Sequence, residues 1–394
     1  PTDVTLENTT VTSAGTAADS YRAIYAQGNA GEGQGVTLTC DANCQINGKI
    51  VYANEYITTN LASTGAVAKV TTASGTTSFY SSLAEAVEKA ESGATVKLLQ
   101  NVTTPDTLVI TKNVTLDLNG KTLTYTGNGS SGSQYAVQVG TGAKDVTVKN
   151  GTIEDSTSVY NKLFAGIAVS ASDVTMNLTD LKITIHGTPS NNKAFAVNGN
   201  QTNVTFNLNR CDFTGGMLGT YFPAATNVLN IEDSTITSNT ALAVKGGTVN
   251  IRGNSVLTGT EVCDNYNEIK PESSGVWSAG EAIYLEGNYD RDAQINVYGG
   301  TFKSTNGYAV RAQFLTGTGD KAINIQGGTF SGAKGIVFDQ QAQNTAGYAA
   351  SAEKDLAAVK ISGGTFDKDV SAFVAEGYMV ISGPNGNGYQ VVEK

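Results

Sequence analysis

One hydrophobic template recurs along the chain: apolar, any, apolar, any, a turn residue, two more residues, then apolar again. It reads Leu116, Leu118, Gly120, Leu123, then Val146, Val148, Asn150, Ile153. Met176, Leu178, Asp180, Ile183 and Phe206, Leu208, Arg210, Phe213 continue it, so these four copies are evenly spaced. Copies at other spacings begin at Leu229, Val249, Ile295, Ile323 and Val359, and upstream at Val4 and, in degenerate form, at Val36 with Cys40 at the turn. Apolar residues two apart share one face of a strand. The turn position is Gly, Asn or Asp in nine of the eleven copies, residues that enter the left-handed region at low cost. Each copy therefore predicts two short strands joined by a sharp corner.

A further strand precedes most copies, as in Ala136–Val139, Gly166–Val169, Ala194–Val197, Ala241–Val244, Ala282–Leu285 and Gly335–Phe338. The closest pair of copies, at Leu229 and Val249, leaves just enough chain for one three-sided circuit. Three strands per circuit predict an all-β, parallel β-helix, a three-sheet solenoid of about nine to eleven rungs. Rungs ~4.8 Å apart would make a rod of roughly 40 Å from 116 onward. Leu83, Ala86, Val87 and Ala90 share one face of a short amphipathic helix over 82–92, expected to cap one end. A second short helix is expected over Asp367–Glu376, followed by a hairpin of Tyr378–Ile381 and Tyr389–Val392. The expected organisation is a partial N-terminal β-helical segment over 1–61, a linker with the capping helix and first strands over 62–112, the main β-helix over 113–366 and a C-terminal cap over 367–394.

Composition fits many short strands with frequent turns, with 45 Gly, 6 Pro and 15% charged residues. A net charge of −10 argues against nucleic acid and anionic membranes as partners. It also disfavours a polyanionic substrate unless calcium bridges it. No apolar run approaches the ~18 residues that span a bilayer, so membrane insertion is not expected. Neither a leader nor an anchor is evident, and the chain is read as cut from a larger protein. Cys40 and Cys44 are close enough in sequence to form a disulfide or to remain thiols, whereas Cys211 and Cys263 are far apart. With a single His, no zinc site is supported.

The run Tyr80–Val87 leading to Ala94–Leu99, the Gly-Gly-Thr-Phe copies and Asp369–Tyr378 resemble the pectin-lyase-like superfamily. More narrowly, they resemble the β-helical repeats of large cell-surface proteins of Firmicutes and related gut bacteria. The resemblance covers residues ~65–394 and implies a right-handed parallel β-helix and an extracellular, bacterial cell-surface setting. It says little about function, because this fold hosts lyases, hydrolases, adhesins and spikes. The Asn-Thr-Asp, Asp-Asp, Gly-His-Gly and Arg-Ile-Lys signatures of polygalacturonase-type members are absent, as are those of pectate lyases. The nearest match, Ile185-His186-Gly187, is partial, with no carboxylates expected around it. His186 is accordingly read as a surface histidine and Cys211 as a packed or turn thiol.

By the same resemblance, catalytic groups would sit on the outward positions of the strand preceding each template. Here these are Gln138, Ala168, Ala196, Ala243, Tyr284, Arg311 and Val337, a row without a carboxylate, so no catalytic residue is assigned. The best candidate site is the insertion Leu257–Gly280, which carries Tyr266 and the only Trp, Trp277, beside Tyr284, Arg311 and Tyr289. Aromatic faces stack on sugar rings, so these five are the expected ligand-binding residues. Asp264, Asp290 and Asp292 are a candidate calcium set, although their spacing matches no known loop motif. No other cofactor is expected. The expected function is a non-catalytic, adhesin-like surface module that binds a glycan or a host surface protein. A polysaccharide-degrading enzyme and a structural spacer are the competing readings.

Overall fold

The computed structural model describes residues 2–13, 22–29, 35–47, 49–53, 56–61, 65–127, 134–156, 163–186, 193–197, 201–216, 218–222, 225–263, 279–287, 289–313, 317–338 and 356–394. The protein is all-β, dominated by a mostly parallel sheet of 22 strands and a wholly parallel sheet of nine. Alternation of side chains explains the inner and outer faces. In Thr175–Ile185, Met176, Leu178, Ile183 and Ile185 are buried, while Lys182 is exposed. The template copies stack in register, Val146 opposite Met176, then Phe206, Leu229, Val249, Ile295, Ile323 and Val359. Stacked interior rings continue this order, with Phe302 and Phe330 centroids 4.5 Å apart and Phe330 and Phe366 5.3 Å apart. Each such side chain contributes about 1.5–3 kcal/mol by leaving water.

Two copies depart from the expected register. Leu116 lies opposite Val148, not Val146, although Leu123 still meets Ile153. Val4 lies opposite Leu38, not Val36. A slip by a whole period of the strand keeps every side chain on its own face, so the apolar pattern alone cannot exclude it. At the first of these copies the extra chain sits in a longer corner, where Asn119 and Gly120 both have positive φ.

The corners confirm the left-handed turn position at Asn8, Gly120, Asn150, Asp180, Arg210, Asp233 and Gly253. Arg210 adopts φ 51° without being Gly or Asn, and its guanidinium makes a bidentate contact to Asp180 one circuit earlier at 2.7 and 2.8 Å. In the last three copies the positive φ falls one residue later, at Gly300, Gly328 and Gly364. The preceding glycine is needed for close approach. A Cβ on Gly327 would lie 2.5 Å from the Tyr298 carbonyl, and one on Gly363 2.2 Å from that of Gln326. The two glycines of each Gly-Gly-Thr-Phe copy therefore do different work.

Outside the core, an amide ladder crosses the large sheet. Asn177, Asn207, Asn230, Asn250, Asn296 and Asn324 lie on successive strands, each Nδ2 donating to the preceding Oδ1 at 2.9–3.1 Å. Asp145 accepts from Asn177 at 3.0 Å and closes the series.

Antiparallel hairpins bracket the parallel stack. At one end Ala68–Thr71 pairs with Thr95–Leu98 and with Thr77–Tyr80, so the sheet reaches further upstream than the repeat suggested. The helix Leu83–Lys89 covers this end, with the Ser82 hydroxyl accepting from the Glu85 N–H and Leu83, Ala86 and Val87 buried. At the other end Tyr389–Glu393 pairs with Gly364–Phe366 and with Tyr378–Ser382. The helix expected over Asp367–Glu376 is reduced to one 3₁₀ turn, Ser371–Phe373. Asp369 draws off the Ser371 N–H and hydroxyl, and Val374 bridges to Ile361, which flattens the segment.

Upstream of these, the N-terminal segment forms separate, small parallel sheets: Thr2–Leu6 with Val36–Cys40 and Ile57–Thr59, Thr10–Thr12 with Gln45–Asn47, and Arg22–Ala26 with Lys49–Tyr52. The Tyr52 ring lies 5.7 Å from that of Phe79, where this segment meets the first hairpin.

Candidate functional site

The nine-stranded sheet carries the strands that precede each template, among them Thr240–Val244, Ile283–Glu286 and Tyr308–Gln313. Leu242, Val244, Ile283, Leu285 and Val310 fill the core, so alternation turns Ala243, Lys245, Tyr284, Glu286, Arg311 and Gln313 to the opposite face. Tyr284 stands opposite Ala243 and Arg311, and Gln313 opposite Glu286.

Tyr284 and Arg311 occupy the outward face as expected, but they are not open to solvent: Tyr284 is 1% exposed and Arg311 0%. The reason is chemical. A guanidinium is desolvated only when its charge and donors are met, and here they are. Arg311 is ion-paired with Glu281 and donates to the Gln313 side-chain carbonyl. Its Cζ lies 3.7 Å from the Tyr284 ring centroid. Glu281 in turn accepts from the Thr240 hydroxyl at 2.7 Å and the Ala279 N–H at 3.2 Å. Beside this, Lys245 Nζ is 3.2 Å from a Glu286 carboxylate oxygen and donates to the Tyr289 hydroxyl at 3.2 Å. The Tyr289 ring is flanked by Lys245 and Arg291, 4.8 and 5.0 Å from its centroid. Lys245, Glu281, Glu286, Arg311 and Gln313 are all buried, whereas Tyr289 and Arg291 are half-buried and form the rim.

The expectation of a face without carboxylates is thus corrected. The expected row took one position per strand, and Glu286 lies one period beyond it, on the same face. Glu281 precedes the strand and folds back onto Arg311. The alternate spacing of Ala243 to Lys245, Tyr284 to Glu286 and Arg311 to Gln313 was a sequence signal that could have found this second column. Val337 is also reassigned: it pairs with Val310 and belongs to the core, while Phe338 packs with Ala279 outside it. Trp277, Tyr266 and Asp264 lie outside the described residues. Asp290 accepts from the Thr318 N–H and hydroxyl at 2.7 and 3.1 Å, and Asp292 from the Asp320 N–H at 2.9 Å. Each thereby anchors the turn of the next circuit. Among the described residues no group of three His, Cys, Asp or Glu is placed to hold a metal ion.

His186 keeps a part-exposed side chain, but the expectation of no carboxylate around it is corrected. Its backbone N–H donates to Asp155 Oδ1 at 2.6 Å, and its Nδ1 lies 2.9 Å from the Asp155 carbonyl and 3.2 Å from Oδ1. Asp155 lies on the neighbouring circuit, which hides the pair from a local motif search. Its carboxyl is buried, and Oδ2 has no hydrogen-bond partner among the described residues. Burial holds its pKa above the usual carboxylate range, against the lowering effect of His186. The four cysteines are thiols. Cys211 is buried, with its pKa raised to about 11 by desolvation, which leaves it unreactive.

No helix among the described residues is long and apolar enough to cross a membrane. No family model matches the chain, and no curated protein or solved structure does either.

Proposed function

We propose that the chain is a right-handed parallel β-helix of the pectin-lyase-like kind and serves as an extracellular, bacterial cell-surface module that binds glycan on the flank of its nine-stranded sheet. The observation that carries this reading is the concentration of Lys245, Tyr284, Glu286, Tyr289, Arg291 and Arg311 on three consecutive circuits beside the 257–280 insertion. Buried ion pairs hold Tyr289 and Arg291 at the rim, where guanidinium and phenol groups meet sugar hydroxyls. An acidic host protein is disfavoured as partner by the chain's own charge of −10.

The test is a glycan array probed with the labelled chain, with Arg291→Ala and Trp277→Ala beside it. The expected outcome is selective binding that both variants lose. A blank array for the unaltered chain sinks the glycan reading and leaves the spacer.

A second reading, a polysaccharide-degrading enzyme, draws on Glu281 and Glu286, two carboxylates on one flank. Release of reducing ends by the unaltered chain, abolished in Glu286→Gln, would establish it over simple binding.

A further inference from the structure

A cavity of about 480 Å³ opens where the capping helix meets the first circuit, at the opposite end of the stack from the flank cluster. Its volume falls within the range of small-ligand sites, about 300–1,000 Å³. Val67, Leu83, Val102 and Leu108 supply apolar surface, and Leu83 and Leu108 are themselves buried. Ser81, Gln100, Asn101 and Thr103 supply polar groups. Some polar atoms here already serve the fold: Gln100 Nε2 donates to the Ala66 carbonyl, and Asn101 Oδ1 accepts from the Thr122 N–H. Among the described residues, the Gln100 side-chain carbonyl, the Asn101 amide nitrogen and the hydroxyls of Ser81 and Thr103 have no protein partner.

We infer that this cavity is a binding site for a single uncharged pyranose ring, such as the end of a neutral glycan. The chemistry is complementary on three counts. The apolar wall suits the C–H face of a sugar, and the two hydroxyls and two amide groups offer both donors and acceptors to its hydroxyls. Among the described lining residues there is no Lys or Arg and Asp106 is the one charged side chain, so a carboxylated or phosphorylated sugar is disfavoured. The site does not depend on the flank reading, since it shares no residue with it.

The test is saturation-transfer NMR on the full chain with methyl glycosides of glucose, galactose, mannose and N-acetylglucosamine, with galacturonate as the anionic control. At least one neutral glycoside should give a saturable signal, and galacturonate none. Thr103→Trp, at an exposed strand position, should fill the cavity and weaken binding by at least about tenfold with an unchanged melting temperature. Ser81→Tyr, at an exposed position beside the helix, should do the same. In an Arg291→Ala background Thr103→Trp should still remove the neutral-glycoside signal, which separates this site from the flank. Asp106→Asn should admit galacturonate. A panel without a neutral binder, or full binding retained in both filled variants, overturns the inference.

Discussion

The outer face of the nine-stranded sheet has two characters. On its early circuits the described side chains include small or neutral ones: Ala165 and Ala168 pack with Tyr135, and Gln138 donates to the Ser170 hydroxyl at 2.7 Å. On its later circuits it carries Lys245, Glu286, Tyr284, Arg311 and Gln313, all buried. The backbone pairing is parallel in both, with a register shift between Gln134 and Tyr135 on the early side. The early template copies are evenly spaced, at Leu116, Val146, Met176 and Phe206, whereas the later ones start unevenly at Leu229, Val249, Ile295, Ile323 and Val359.

That contrast can be broken most sharply at Glu281. Glu281→Ala leaves Arg311 buried without its counter-ion and should cost about 3–5 kcal/mol in denaturant unfolding. Glu281→Leu combined with Arg311→Met should recover most of it, because an apolar pair needs no compensation. If the single substitution costs no more than Gln138→Ala, expected below about 1 kcal/mol, the two halves of the face do not differ in energetic character.

A smaller effect is expected at Asp155, a buried carboxyl of the early circuits. Its native pKa is raised, so the native state holds this proton more tightly than the unfolded chain. Stability from this group is then greatest below its unfolded pKa of about 4 and falls as pH rises toward the native value. Relative to Asp155→Asn, the unaltered chain should lose melting temperature as pH rises from about 4 to about 7. A difference that stays constant over that range would show that the carboxyl is ionised in the native state throughout.

The smallest of these effects concerns the ladder, which spans both halves. Asn230→Ala removes one hydrogen bond on each side, to Asn207 and from Asn250, and should cost about 1–2 kcal/mol. Equal costs at Asn177 and Asn296 would show the ladder to be indifferent to the change in character of the neighbouring sheet.

Most of the architecture was legible because it rests on period. Alternating Val, Ile, Leu and Phe with a Gly, Asn or Asp corner specify which face turns inward. They do not distinguish registers that differ by a whole strand period, which is why Leu116 and Val4 were misplaced by one such step. The over-long C-terminal helix had a different cause, since Asp369 and Val374 redirect the backbone through contacts that helical spacing does not encode. At the flank, Tyr284 and Arg311 pack against each other on the outward face. Their burial was not foreseen, because it depends on Glu281 and Gln313 meeting the guanidinium, and Glu281 lies a whole circuit away from Arg311 along the chain. The Asp155–His186 pair was missed for the same reason.

The hairpins that bracket the stack have a mechanical consequence. Neighbouring strands of the large sheet are hydrogen-bonded along its length, so tension applied at the two ends strains the contacts between circuits. A circuit inside the stack is held from both sides, and only an end circuit can peel. The antiparallel hairpins of Ala68–Tyr80 and Tyr378–Glu393 are therefore the latches. Once one is torn away, the circuits should release one at a time. A circuit of about 30 residues sets free roughly 100 Å of chain at about 3.3–3.6 Å per residue. Extension in discrete steps, of lengths set by the spacing of the repeats, is the expected response of such a stack to load.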